Sequence, residues 1–67
     1  MNQHTLKGNW KQTKGRIKKA WGELTDDEIE KIEGSYDKFV GTVQAKYGYT
    51  IDKAREQVNQ FLDRLDG

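Results

Sequence analysis

Apolar positions along this chain recur in steps of three and four. Leu6, Trp10, Ile17, Trp21 and Leu24 follow one another at intervals of 4, 7, 4 and 3 residues. At about 100° per residue these side chains, with Ala20, occupy an arc of roughly 100°, the width a surface helix turns toward a core. The spacing predicts a first helix from about Leu6 to Trp21, stopped by Gly22. Thr25-Asp26-Asp27-Glu28 then carries a start signal, because the Thr25 hydroxyl can accept from the Glu28 N–H while the Glu28 carboxylate accepts from the Thr25 N–H. Three acids in the first turn also suit the positive end of the helix dipole. A short second helix, about Asp26 to Glu33, follows with Ile29 and Ile32 inward and Gly34 as a left-handed stop.

A third segment holds Tyr36, Phe39, Val40, Val43 and Tyr47 before Gly48. A fourth begins after Thr50 and carries Ile51, Ala54, Val58, Phe61, Leu62 and Leu65 on one face. No stretch alternates in the manner of a strand. The expected class is all-α, with four helices joined by short linkers.

The first and third helices match when written 26 residues apart. Gly8-Asn9-Trp10 falls on Gly34-Ser35-Tyr36, Gly15 on Gly41, Ile17 on Val43, and Trp21-Gly22 on Tyr47-Gly48. Thr25 meets Thr50 after one deletion. Each unit is then a helical hairpin that cannot cover its own apolar stripe, and two units packed together can. Gly15 and Gly41 would sit mid-helix, where glycine costs about 0.5–1 kcal/mol relative to alanine, so their recurrence predicts a close helix crossing at both places. The aromatic residues at equivalent positions are expected in the core.

Together, Gly8-Asn9-Trp10-Lys11-Gln12, Lys14-Gly15, Trp21-Gly22, Leu24-Thr25-Asp26-Asp27, Ile32, Gly34, Val40-Gly41 and Tyr47-Gly48-Tyr49 resemble the CsbD-like family of small bacterial stress-response proteins. The resemblance runs from about residue 8 to near Val58. It implies two orthogonally packed helical hairpins and synthesis raised under general stress or in stationary phase. It supplies no catalytic residue, cofactor or ligand. The chain departs from the pattern at Phe61-Leu62-Asp63-Arg64-Leu65, which gives a well-formed helical end.

Composition narrows the functional classes. The chain has 67 residues, 34% charged and 33% hydrophobic, and Leu, Ile, Val and Phe supply 13 of them. With mean hydropathy at −1.08, it reads as one single domain, residues 1–67 with an ordered core over about 6–65, of thin stability margin. The absence of cysteine suits a reducing compartment, and no apolar run exceeds two residues, so neither a membrane span nor a secretory leader is expected. A cytoplasmic monomer without integral membrane association is the expectation. Catalytic chemistry is poorly supplied: Ser35 stands at a helix start and His4 near the terminus, so no enzyme is expected.

Net charge is +1, yet residues 1–24 carry Lys7, Lys11, Lys14, Arg16, Lys18 and Lys19 against Glu23, a local +5. Residues 25–37 hold Asp26, Asp27, Glu28, Glu30, Glu33 and Asp37 against Lys31, a local −5. The acids lack the alternation and the sixth-position glycine of a calcium loop, so they read as cap and solvated face, and neither metal nor cofactor is expected. Lys7, Lys11, Lys14 and Lys18 fall within about 60° on a continuous helix. With Arg16 they form the one candidate binding stripe, for nucleic acid or a protein partner. The competing account is a lysine row that snorkels over the core edge and pairs with the acidic second helix. Membrane-surface binding ranks lower, since the helix would have to surrender its core face to lipid. Tyr49 has no counterpart in the repeat and reads as a staple onto the fourth helix, or a contact patch.

Overall fold

The computed structural model describes the backbone of residues 3–66 and the side chains of residues 6–65. Its elements are α1 (Gln3–Gly8), α2 (Trp10–Ala20), α3 (Asp26–Ile32), α4 (Tyr36–Tyr47) and α5 (Ile51–Asp66). No strand occurs among the described residues, and the class is all-α. The side chain of His4 lies outside the described residues.

The expected first helix is two helices. Its break is at Asn9, whose dihedrals (φ −114°, ψ 32°) leave the helical region. Gly8 and Asn9 are both poor helix formers, so a turn there costs little. The Asn9 carbonyl nevertheless accepts from the Thr13 N–H and from the Thr13 hydroxyl, each at 2.9 Å. That second bond satisfies the one buried polar side chain among the described residues. Beyond the break, α1 places Leu6 in the core at 0% exposure.

The other helix boundaries follow from local chemistry. Thr25 and Glu28 form the reciprocal cap, with Glu28 N–H to Thr25 Oγ1 at 3.1 Å and Thr25 N–H to Glu28 Oε1 at 2.9 Å. Ser35 accepts from the Lys38 N–H to open α4, and Thr50 accepts from the Lys53 N–H to open α5. Gly48 closes α4 in the left-handed region at φ 69°. Gly22 plays no such part: α2 ends when Trp21 turns to φ −123° and ψ 78°, and the Leu24 N–H closes on the Trp21 carbonyl at 3.0 Å. After α3 the chain reverses through two successive left-handed residues, Glu33 (φ 53°) and Gly34 (φ 75°).

Each helix packs against its neighbours in the chain, α4 most extensively on α5, with α3 lying against both α2 and α4. The core centres on three rings. Trp21 meets Phe39 edge-on at 5.3 Å and Phe61 at 4.9 Å, and Phe39 meets Phe61 at 5.8 Å. Ile17 and Val43, equivalent in the repeat, are both at 0% exposure. Trp10 and Tyr36 are both half-buried against the core edge, and the Tyr36 hydroxyl donates to Asn59 Oδ1 at 2.7 Å. The last aromatic pair diverges: Trp21 is buried, whereas half-buried Tyr47 stacks on Tyr49 at 5.6 Å, with the Lys53 ammonium over the Tyr49 ring. Tyr49 is thus engaged at the start of α5. Ile51, expected inward, is instead 48% exposed, because it occupies the first turn of α5, before the helix reaches the core with Ala54.

The paired glycines correct the sequence expectation. A Cβ built at Gly15 or Gly41 meets nothing within 4 Å, so neither marks a helix crossing. The close approach is at Gly34, buried and left-handed, where a Cβ would come within 3.1 Å of the Lys7 Cα. There α1 crosses the turn between α3 and α4. Gly15→Ala and Gly41→Ala should each raise stability by roughly 0.5–1 kcal/mol. Gly34→Ala should lower it by about 1–3 kcal/mol. Urea unfolding of the three variants reads the signs directly, and a loss of stability at Gly15 and Gly41 would restore the crossing.

Candidate functional site

The charged residues singled out in the sequence do not form one surface. Lys14 and Lys18 stand one turn apart on α2 and face α3, where Lys14 Nζ lies 2.7 Å from Glu30 Oε1 and Lys18 pairs with Asp26. On the other flank of α3, Lys46 Nζ is 3.0 Å from Glu28 Oε1, and Lys38 Nζ is 3.7 Å from Glu33 Oε2. The acidic helix is therefore bracketed by lysines from α2 and α4. A seven-residue helix would not persist alone in water; Ile29 and Ile32 packed in the core hold it, with the cap and the flanking cations adding to this. Each exposed pair contributes only about 0–1 kcal/mol.

Arg16 is two residues from Lys14, about 200° around the helix, and lies on the opposite side. Lys7 belongs to α1, beyond the break at Asn9, and its backbone is the surface against which Gly34 packs. Lys11 is exposed on the first turn of α2. Among the described residues no ion pair engages Lys7, Lys11 or Arg16. The candidate stripe is thus divided over three faces, and two of its members are occupied by carboxylates. Nor are its neighbouring indoles platforms for bases: Trp21 is 9% exposed and Trp10 is packed on the core.

Among the described residues no three Asp, Glu or His side chains converge as a metal site, and Asp26, Glu28, Glu30 and Glu33 are each engaged by the cap or by a flanking lysine. No helix among them is long and apolar enough to cross a membrane. Open grooves among the described residues include three that bear on a site. That between α3 and α4 is lined by Glu28, Lys31, Lys38, Gly41, Thr42 and Ala45, so its charges are of both signs. That between α4 and α5 includes Asp37, Arg55 and the exposed Ile51. The third lies between the ends of α2 and α5 and is lined by Arg16, Lys19, Ala20, Phe61, Arg64 and Leu65, every charge on it positive. The sequence reading missed this last cluster because Arg64 lies 45 positions beyond Lys19.

Glu28 is where capping and ion pairing meet. Accepting the Thr25 backbone N–H holds its carboxyl below the usual carboxylate range, and the bond from Lys46 adds to this. A carboxyl depressed in the folded state adds stability that is present above its unfolded pKa and lost as pH falls through its folded one. Glu28→Gln keeps an oxygen for the Thr25 N–H but loses the charge. Its deficit in stability relative to the parent should therefore be clear at about pH 7 and shrink by about pH 3. Thermal unfolding at both pH values checks this, and an equal deficit at the two would contradict it.

Comparison with known proteins gives one consistent result. The profile of the CsbD-like family matches residues 4–56. UPF0337 protein YjbJ of Escherichia coli strain K12 is 50% identical over 58 residues, covering 87% of this chain and 84% of its own. UPF0337 protein PA4738 of Pseudomonas aeruginosa is 43% identical over 65 residues, covering 97% of this chain and 100% of its own. A UPF0337 protein of Bordetella pertussis is 45% identical over 64 residues, or 96% and 97%. No solved structure matches the chain at a significant level.

Proposed function

This chain belongs to the CsbD-like family, and from that premise we propose that it is a non-enzymatic protein of the bacterial general stress response, cytoplasmic and monomeric, that protects other macromolecules by abundance and a strongly solvated surface. The observation that carries this reading is the way charge is spent. A third of the residues are charged, yet the largest charge cluster is consumed in holding α3 between α2 and α4. What remains is a hydrophilic shell of both signs over a small core, with net charge +1. Among the described residues Ile51 is the one large hydrophobic side chain left exposed, so this surface offers little apolar area through which copies would associate, which is the property a protective protein needs when other chains expose apolar surface.

A polyanion-binding role finds less support. A duplex or single strand held through Lys7, Lys11, Lys14, Arg16 and Lys18 would require Lys14 and Lys18 to release Glu30 and Asp26, and Arg16 to reach round the helix. It would also give a log–log salt slope of about −0.9 per phosphate contact.

Protection is directly measurable. A labile dehydrogenase dried or heated with this protein should retain more activity than with an inert protein of equal size at the same mass ratio. Equal losses in the two mixtures would remove the proposal. In the same preparation, binding to DNA or RNA at about 50 mM salt should be undetectable, and binding with a steep salt slope would favour the polyanion role instead.

A further inference from the structure

The groove between the C-terminal ends of α2 and α5 differs from the others in its electrostatics. Arg16, Lys19 and Ala20 stand at i, i+3 and i+4 on α2; Phe61, Arg64 and Leu65 stand at i, i+3 and i+4 on α5. Each helix therefore presents a single face made of cation and apolar side chain. The two triads border a shallow open groove of about 280 Å³ whose apolar lining is Ala20, Phe61 and Leu65 and whose charged lining is three cations. Among the described residues none of these three cations is held in an ion pair, in contrast to Lys14 and Lys18 on the same α2. The mixed-sign groove beside α3 neutralises itself through Lys38–Glu33 and Lys46–Glu28; this one does not.

We propose that this groove binds a single-chain anionic amphiphile, a free fatty acid, with the carboxylate on the cationic rim and the first methylenes over the Ala20–Phe61–Leu65 floor. Two arginines suit a carboxylate because a guanidinium donates in a planar fork that matches its two oxygens. The floor argues against nucleic acid, since Phe61, its one ring, shows only 9% of its surface and offers an edge rather than a stacking face, and the accessible apolar surface comes chiefly from exposed Ala20 and half-buried Leu65. The size argues against a docked helix, whose apolar anchors run over two turns or more. The groove is shallow and open, so an alkyl chain would lie along its floor with one side in water rather than be enclosed. This site stands apart from the protective role proposed above and does not depend on it.

The full chain, titrated with propionate, butyrate, hexanoate and decanoate below their micellar concentrations, provides the test. Nuclear magnetic resonance reads the Phe61 and Leu65 resonances together with the Trp21 indole, which reports on the floor because its ring lies 4.9 Å from that of Phe61. The expected result is saturable shifts confined to α2 and α5 around the groove, with affinity rising about fourfold for each methylene buried until the floor is covered. Reversing the rim with R16E, K19E and R64E should weaken decanoate binding at least tenfold while the far-ultraviolet circular dichroism stays helical. L65A, which keeps the rim, should lose the chain-length dependence but retain a weak response to the carboxylate. Decanol binding as tightly as decanoate would overturn the proposal, as would acetate producing the same shifts. Shifts seen only with phosphatidylglycerol vesicles would also overturn it, and would assign the groove to a membrane surface.

Discussion

Contact among the Trp21, Phe39 and Phe61 rings is the interaction on which the rest of the molecule depends. It joins the residue that ends α2 to the first half of α4 and the last third of α5, so one cluster ties three helices together. Edge-to-face geometry adds about 0.5–1.5 kcal/mol per pair beyond the burial of the rings themselves. In a chain this short, where total stability is on the order of 5 kcal/mol or little more, removing any one ring of the cluster would cost about 3–5 kcal/mol and consume most of the margin. The smaller buried groups, such as Leu6, Ile17 and Val58, fill space around that centre.

Such a small core cannot hold every helix by packing alone, and α3 shows what supplements it. Only Ile29 and Ile32 of α3 enter the core. Of its remaining positions, Glu28 closes the reciprocal cap with Thr25, and Asp26, Glu28 and Glu30 meet lysines on its two sides. None of these contacts is strong singly. Their value is in placement: a helix wedged between two rows of cations has one seating, and that seating carries the turn through Glu33 and Gly34 beneath α1. Glu28, both cap and ion-pair partner, couples the start of α3 to the end of α4.

Much of this was legible in the sequence because it is local. The Thr25–Glu28 box, the Ser35 and Thr50 caps, the left-handed Gly48 and the extents of α4 and α5 depend on residues within one turn of each other, and the structure places them as the spacing predicts. The pairing of Lys14 and Lys18 with the acidic helix was also within reach, since both segments are short and of opposite sign. What the sequence hid is decided by tertiary direction. The break at Asn9 leaves the apolar periodicity intact, so Leu6 fits an unbroken helix as well as it fits a bent one. Glycine recurrence at positions 15 and 41 looked like a packing constraint, yet those positions face open space; only the path of α1 shows that Gly34 is the constrained one. Likewise, Ile51 fits the α5 stripe by spacing and is exposed because that end of the helix extends past the core.

Helix α2 shows why counting charge along a chain is a poor guide to a surface. Its cations at 14 and 18 and those at 16 and 19 are interleaved in sequence, and a local charge of +5 treats them as one feature. A rotation of 100° per residue sorts them into two sets. One set meets α3 and is spent on folding; the other meets α5, where Arg64 adds to it and, among the described residues, no carboxylate lines the groove. The stabilising set is visible as ion pairs. The set available to a ligand is the one left beside apolar side chains, and only the packing of α2 against two different neighbours separates them.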